Sequence, residues 1–284
     1  MYFYIVNPSA GGAKINKIQT RLLSLLRENK INGDFVKTTG KGDAARLVNI
    51  AIEKGATNIV AVGGDSTVSE VINEIYKTDA VLGIVPIGRT NVLAKALGIR
   101  SWQEAVNILS KRRIKTLSLG QVNNRLFVTT LEIGFETEIQ KEREDDSLLK
   151  NIFLKKKVAQ TLLSYKPFLA EIKFDREFVI KSQMLNISVV NSSLNKKEDK
   201  EKEKLVTYII PNQPKISLLL KSLDICNLNY DKIHFISQFK AEKITIETQE
   251  KPQSVYADSA LIGKTPITVS VSDKKIRVIV AKAI

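Results

Sequence analysis

The sequence predicts an α/β protein with a second, strand-rich domain. The first 120 residues alternate short apolar runs with amphipathic helical patterns, which is typical of a mostly parallel sheet with crossover helices. After residue 120, strand-like runs follow one another, which favours antiparallel pairing. We therefore expect a Rossmann-like α/β domain over residues 1–120, an antiparallel β-sandwich-like domain over residues 121–284, and a cleft between them. Return of the last strand to the first domain remains open.

The N-terminal elements follow from the spacing of apolar residues. Apolar residues three and four positions apart predict helices, and short apolar runs between them predict strands. The expected strands are Tyr2–Val6, Asp34–Val36, Asn58–Val62, Val81–Val85 and Ile114–Leu119. The expected helices are Lys14–Asn29, Asp43–Lys54, Thr67–Tyr76, Asn91–Leu97 and Trp102–Ser110.

The C-terminal half predicts strands with one long helical interruption. The strand candidates are Arg125–Leu131, Glu171–Phe174, Phe178–Val190, Val206–Ile210, Lys243–Glu247, Pro266–Val271 and Lys275–Ala281. A helical pattern occupies Ser147–Tyr165. The mixed Lys and acidic run at Lys196–Lys204 has no apolar face, so we interpret it as a solvated loop.

Composition excludes several classes of protein. With 43% hydrophobic residues among 284, the chain can form real cores, so disorder over its whole length is excluded. The lone Cys226 cannot form an internal disulfide, and the lone His234 cannot provide a multi-histidine metal site. No run approaches the ~20 apolar residues of a membrane span, and no signal peptide pattern is present. We expect a cytoplasmic protein.

The charge balance points to an anionic partner. The chain carries 44 Lys and Arg against 30 Asp and Glu, a net charge of +14. A nucleotide or an acidic membrane surface would suit this excess. Aromatic residues make up only 6%, and no nucleic-acid-binding motif is present, so a nucleic acid partner is not expected.

One glycine turn has the features of a phosphate site. Gly63 and Gly64 follow a predicted strand and precede a predicted helix. Glycines let the backbone approach a phosphate closely, and the amino end of the following helix attracts its charge. Asp65 and Thr67 also suit a plain helix-capping role, so this turn alone does not decide between a structural and a binding function.

Three further polar turns follow predicted strands. They are Asn7–Gly12 after the first strand, Thr38–Ala45 after the second, and the stretch around Gly88 after the fourth. Open α/β sheets bind their ligands at the carboxyl ends of the strands. Four polar turns at that edge favour a ligand site there.

At these motifs the sequence resembles the diacylglycerol kinase catalytic family, which includes bacterial lipid kinases and sphingosine kinases. The resemblance rests on N-P-x-x-G-G at Asn7–Gly12, G-G-D-x-T-x-x-E-x-x-N at Gly63–Asn73 and P-x-G-x-x-N-x-L-A at Pro86–Ala94. It extends to Gly120, Gly134-Phe135 and a tail with Asp258 and Gly263–Thr268.

The resemblance implies ATP-dependent phosphorylation of a lipid hydroxyl, with ATP and Mg²⁺ in the cleft. We assign catalytic roles to Asp65 and to Asp258, the carboxylate of the tail, and we assign no metal-ligating residue. The nucleotide-binding residues that it implies are Asn7, Thr38, Gly63, Gly64, Asp65, Ser66, Thr67, Glu70, Gly88, Arg89, Thr90 and Asn91.

Several family positions are altered in this chain. Ser66 replaces a glycine, and Arg89 replaces a threonine. Ser118 stands where the family has an aspartate, and Ala260 where it has the glutamate proposed as proton acceptor. The family's structural metal loop is not recognisable. The alternative to an active lipid kinase is therefore a pseudokinase, a regulatory module that binds nucleotide or lipid; for Asp258 the alternative is a plain turn residue.

The Ser147–Leu163 pattern is compatible with two kinds of contact. Its apolar face and its lysines would suit peripheral contact with an anionic membrane at the inner surface, or packing on the strand-rich domain. A homodimer also remains open.

Overall fold

The computed structural model of the protein describes residues 1–138, 159–175, 178–192, 204–226, 230 and 233–281. Of the helix predicted at Ser147–Tyr165, residues 147–158 lie outside the described residues. Of the solvated loop predicted at Lys196–Lys204, residues 196–203 also lie outside the described residues.

The N-terminal half is a parallel sheet with helices between its strands. The strands run in the order β2-β1-β3-β4, and β3 and β4 are buried along their whole length. Complete burial is typical of central parallel strands, which are covered on both faces. The elements are β1 (Tyr2–Val6), α1 (Ala10–Glu28), β2 (Gly33–Lys37), α2 (Asp43–Glu53), β3 (Asn58–Gly63), α3 (Asp65–Ile75), β4 (Val81–Pro86), α4 (Val92–Ala96) and α5 (Trp102–Lys111).

Helix α1 begins with a kinked turn. Gly11, Gly12 and Ala13 have positive φ angles of 60°, 70° and 60°. A Cβ atom on Gly11 would lie 2.0 Å from the carbonyl oxygen of Ile87, so only glycine allows this approach. The regular part of the helix starts at about the position that the sequence predicts.

The C-terminal half is rich in antiparallel strands, and one helix in it is described over its full length. The elements are β5 (Ile114–Val122), β6 (Arg125–Phe127), β7 (Thr130–Gly134), β8 (Phe168–Phe174), β9 (Phe178–Asn191), β10 (Leu205–Pro211), α6 (Lys215–Cys226), β11 (Ser237–Ala241), β12 (Lys243–Thr248), β13 (Ser254–Ala257), β14 (Ala260–Lys264) and β15 (Ile267–Ile279).

Three predicted strands are divided differently in the structure. The single strand predicted at Arg125–Leu131 is split into β6 and β7, because Val128 and Thr129 donate their backbone N–H groups to a carboxylate. The two strands predicted at Pro266–Val271 and Lys275–Ala281 are one strand, β15, with a register shift between Val271 and Lys275.

Strand β15 joins the two halves. It pairs antiparallel with β12 and β5, and its end pairs parallel with β4 through Arg277 opposite Val81 and Val278 opposite Leu82. The fifteen strands therefore form one hydrogen-bonded network. The predicted fold class, a Rossmann-like α/β domain followed by a strand-rich domain, is confirmed. The boundary at residue 120 stays a prediction.

Three apolar cores lie along this network. The first packs the helices against the N-terminal sheet, and the second fills the strand-rich half around Ile133, Ile187 and Ile244. The third lies under α6 and contains Leu162, Leu218 and Ile225.

Candidate active site

The turns after β1, β2 and β3 meet at one edge of the sheet. Asn7 donates its backbone N–H to Val62 (2.9 Å) and its side-chain Nδ2 to Thr67 Oγ1 (3.0 Å). The N–H of Thr38 donates to the carbonyl of Val6 (2.8 Å), and the Thr38 side chain is buried. Asn7, Thr38 and Thr67 are thus brought to the same edge, as parallel strands require.

Two glycine loops touch backbone to backbone. The N–H groups of Ile87 and Gly88 lie 3.0 and 3.3 Å from the carbonyl oxygen of Gly63. A Cβ on Gly88 would lie 2.4 Å from the Cα of Gly64, and one on Gly63 would lie 2.5 Å from Thr67 Oγ1. A side chain at Gly88 would force the two loops apart, and one at Gly63 would collide with Thr67 of α3.

Asp65 binds the second loop to the first. Its Oδ2 accepts a hydrogen bond from Thr90 Oγ1 and its Oδ1 accepts one from the N–H of Val92, both at 2.6 Å. The carboxylate therefore caps α4, which begins at Val92. This contact positions the loop from Gly88 to Asn91.

Asn91 presents a buried acceptor beside Gly88. Its φ angle is 49°, and its Nδ2 donates to the carbonyl of Gly88 (2.8 Å). Its Oδ1 is buried and accepts no hydrogen bond from the described part of the chain. Because a buried unpaired acceptor is unfavourable, this atom fits a site that a ligand completes.

Glu70 holds the loop after β2. Its Oε1 accepts a hydrogen bond from the N–H of Gly42 (3.0 Å), and Asp43 Oδ2 accepts from the N–H of Thr39 (2.8 Å). The structure therefore gives Glu70 a loop-positioning contact in addition to the binding role predicted for it.

The two altered motif residues, Ser66 and Arg89, are exposed at this edge. Ser66 lies in the first turn of α3, whose backbone is helical, so a serine replaces glycine there without strain. The helix leaves N–H groups of its first turn free of helical partners, and its dipole is positive at that end. This end of α3 can bind an anion.

Asp258 lies in the turn between β13 and β14, with a φ angle of 47°. Its Oδ2 accepts from the N–H of Val128 (2.9 Å), and its Oδ1 accepts from the N–H and the hydroxyl of Thr129 (2.8 and 2.5 Å). Burial raises the pKa of the Asp258 carboxyl, and the charge of Asp65 raises it further. The two predicted catalytic aspartates are therefore close enough to interact electrostatically.

Residues without a carboxylate occupy two positions where the resemblance implies acids. Ala260 follows Asp258 by two residues at the start of β14. Ser118 is buried in β5, and its carbonyl accepts a hydrogen bond from Asn191 Nδ2 (2.8 Å). Within the described ranges, no group of three or more His, Cys, Asp or Glu side chains could hold a metal ion.

Sequence reasoning gave no role to two features of this region. Asn73 of α3 donates to the carbonyl of Leu126 and accepts from its N–H, both at 3.1 Å, and so fixes β6 against the α/β half. Asn73 is the last residue of the G-G-D motif, so its position in the motif was the signal. Thr129 orients Asp258, and no sequence signal marks it.

A second polar cluster is buried beneath the third core. Glu132 Oε2 accepts from Ser188 Oγ (2.5 Å) and Asn186 Nδ2 (3.2 Å), while Tyr230 donates its hydroxyl to Glu136 Oε1 (2.9 Å). Burial raises the pKa of Glu132 well above its ordinary value, and the neighbouring Glu136 raises it further. Glu132 therefore binds its proton tightly.

No helix in the described part of the chain is long and apolar enough to cross a membrane.

The sequence is similar to known lipid kinases. Residues 1–122 match the model of the diacylglycerol kinase catalytic domain. A diacylglycerol kinase from Bacillus subtilis is 27% identical over 196 residues, which cover 67% of this chain and 65% of the relative. A YegS-like relative from Enterobacter is 30% identical over 144 residues, which cover 49% of this chain and 47% of the relative. These matches thus span about half to two thirds of the relatives' length. YtlR from Bacillus subtilis, a relative with a lipid kinase name, is 24% identical over 98% of each chain.

Solved structures share the fold over nearly the whole chain. A diacylglycerol kinase structure from Bacillus anthracis has a TM-score of 0.70 at 20% identity and covers 98% of this chain and 96% of its own. An NAD kinase from Archaeoglobus fulgidus in complex with ATP has a TM-score of 0.55 at 13% identity, covering 98% and 93%. At these identities the likeness concerns the fold.

Proposed function

We propose that this chain, whose first 122 residues match the model of the diacylglycerol kinase catalytic domain, transfers the γ-phosphoryl group of ATP to a lipid hydroxyl. The observation that carries the proposal is the contact between the Gly63–Asp65 turn and the Gly88–Asn91 loop, which meet at the carboxyl edge of the parallel strands. The family match and the names of the relatives support a lipid kinase role.

The residues at this edge fit a nucleotide. The amino end of α3 presents N–H groups and a positive dipole to a phosphate. Glycines at 64 and 88 keep side chains out of the region where the two loops meet. The buried Asn91 Oδ1 supplies an acceptor that a nucleotide hydroxyl or a bound water would satisfy.

A Mg²⁺ ion bound with the nucleotide would need few ligands from the protein. In kinases this ion neutralises phosphate charge and is held by one or two carboxylates, phosphate oxygens and water. Asp65 is the carboxylate that would hold it, because each of its oxygens accepts one hydrogen bond and retains a lone pair.

Asp258 is the proposed general base. Burial raises the pKa of this carboxyl toward neutral pH, and a base whose pKa lies nearer the working pH takes a proton from a lipid hydroxyl more efficiently. Val128 and Thr129 hold the carboxylate in one orientation, and Oδ2 retains a lone pair that can take the proton. Phosphoryl transfer depends mainly on such positioning and on charge stabilisation.

The partners follow from the reaction. We propose ATP and a lipid as substrates, a cytoplasmic location with peripheral contact at an anionic membrane, and no nucleic acid partner. The net charge of +14 supports attraction to both the nucleotide and the membrane.

The test is a phosphorylation assay with purified protein, Mg²⁺-ATP and micelles containing diacylglycerol, monoacylglycerol, sphingosine or phosphatidylglycerol. Wild type should yield labelled lipid, and Asp258→Asn should reduce the rate by about 10²–10⁴-fold, the usual contribution of a general base. Asp273→Asn removes an exposed carboxylate elsewhere and serves as the matched control.

Equal product from wild type and Asp258→Asn would refute the role of Asp258. No product with any of the four lipids would refute the kinase proposal for them. If ATP then still raised the melting temperature of wild type, the pseudokinase alternative would take its place.

A further inference from the structure

Helix α6 carries apolar side chains on two sides. Leu218 and Ile225 are buried in the third core, as expected for a helix that covers a sheet. Ile216 and Leu220 lie one helical turn apart and are 73% and 80% exposed. The core contacts of α6 do not account for this outward apolar side.

A third exposed apolar residue lies beside the start of α6. Leu163, at the end of helical residues 159–164, is 43% exposed. Lys215 Nζ donates a hydrogen bond to the carbonyl of Leu163, so the two segments are adjacent. We call Leu163, Ile216 and Leu220 the α6 patch. Exposed apolar residues that cluster mark interaction sites, whereas single ones are ordinary.

Lysines outnumber acids around the α6 patch. Helix α6 contains two lysines, Lys215 and Lys221, and one acid, Asp224, and the exposed Lys166 follows Leu163 by three residues. Apolar side chains with flanking lysines suit a surface of anionic lipid, where the lysines meet phosphate and the apolar groups enter the headgroup boundary.

We propose that the α6 patch docks the protein on an anionic membrane surface. Ile216 and Leu220 insert between lipid headgroups, and Lys166 faces lipid phosphates. The inference rests on the proposed function in one respect: a lipid kinase must reach a substrate that resides in a membrane.

The experiment measures sedimentation of the full chain with vesicles, without ATP. Wild type should bind vesicles that contain phosphatidylglycerol, bind vesicles of phosphatidylcholine alone weakly, and lose binding as salt increases. The double variant Ile216→Gln/Leu220→Gln should bind the anionic vesicles about tenfold or more weakly, because two apolar side chains no longer leave water.

The matched control is Ile114→Gln/Val179→Gln, which replaces two other exposed apolar residues, 41% and 56% exposed, outside α6. It should bind as wild type does. Both double variants should keep the wild-type melting temperature, since none of the four side chains is buried. A double variant at α6 that melts earlier would be replaced by Leu220→Gln alone.

Two results would overturn the proposal. One is equal binding of anionic vesicles by wild type and the α6 variant, including the case in which neither binds. The other is a wild-type protein that does not bind vesicles but forms a dimer in sedimentation velocity, with the dimer lost in the α6 variant. That result would assign the patch to a second copy of the chain.

Phosphorylation of a lipid dispersed in detergent separates this proposal from the proposed function. The α6 variant should match wild type in detergent and be slower on vesicles. Absence of activity in detergent, with intact vesicle binding, would refute the kinase proposal and leave the docking surface standing.

Discussion

Asp65 and Asp258 each have a structural task as well as a proposed chemical one. Asp65 caps α4 and holds Thr90, and Asp258 joins the turn at residues 128–129 to the β13–β14 turn. Their motif positions could be recognised in the sequence. Their hydrogen-bond partners could not, because Asp258 meets residues about 130 positions away.

Replacing Asp65 by alanine should destabilise the protein by about 1–2 kcal/mol, because the cap of α4 is lost and the N–H of Val92 has no acceptor. The free energy of unfolding in urea measures this. Asp65→Asn retains an acceptor oxygen and should fall between the two. Equal stability of all three proteins would show that the cap contributes nothing.

Replacing Asp258 by asparagine should cost about 1–3 kcal/mol of stability. Val128 and Thr129 donate to both oxygens of the carboxylate, whereas the asparagine amide has only one acceptor oxygen. Urea unfolding again gives the measurement. Thr129→Val, which removes only the hydroxyl donor, should cost less. The reverse order would contradict the view that the backbone donors dominate.

At the scale of elements, strands that alternate with amphipathic helices were predictable, and several strands of the antiparallel half were not. The four parallel strands match their predicted positions within one residue, because helical patterns separate them along the chain. Strands β11, β13 and β14 were missed, since their neighbours across the sheet stabilise them and sequence patterns do not show those neighbours. The polar Ser272–Lys275 run resembles a loop in sequence but lies inside β15.

Strand β7 shows why a buried acid escapes sequence analysis. Leu131 and Ile133 enter the second core, so strict alternation assigns Glu132 to the opposite face, which the pattern predicts to be solvated. In the structure that face is covered, and Glu132 is buried beside Asn186 and Ser188. Only the tertiary packing of the third core produces this burial.

Glu132 should make stability depend on pH. Its folded-state pKa is raised above the ordinary value of 4.5, so the folded protein binds the proton more tightly than the unfolded chain. The resulting stability is fully present below pH 4.5 and is lost as pH rises through the folded-state pKa. Urea unfolding at a series of pH values should show this decline in wild type.

Glu132→Gln should flatten that pH profile and should be at least as stable as wild type at neutral pH, because glutamine has no charge to bury. Glu250→Gln, at an exposed carboxyl, should leave the profile unchanged. A profile that keeps its slope in Glu132→Gln would assign the effect to other groups.

The contact between the two glycine loops should be sensitive to a single methyl group. In Gly88→Ala the new Cβ would lie 2.4 Å from the Cα of Gly64, so the loops must separate. We expect lower stability and a smaller increase in melting temperature on adding ATP. Gly40→Ala, whose Cβ would meet nothing within 4 Å, is the control. Equal shifts in the two variants would contradict this role of Gly88.

For the whole molecule, β15 is expected to make unfolding cooperative, because it pairs with strands of both halves. Ile279→Ala in the first core and Ile244→Ala in the second should each cost about 2–5 kcal/mol and lower the same single transition. Circular dichroism and calorimetry should give coincident curves. Two separable transitions would show that the halves unfold independently.

The position of β15 also constrains the order in which the protein can fold as it is synthesised. Strand β4 leaves the ribosome early, but the residues that cover its edge, Arg277 and Val278, are made nearly two hundred positions later. Until then the edge of β4 exposes unpaired N–H and C=O groups, which can pair with other chains. A truncated product ending before β15 should therefore aggregate, even though it contains every glycine turn of the proposed site.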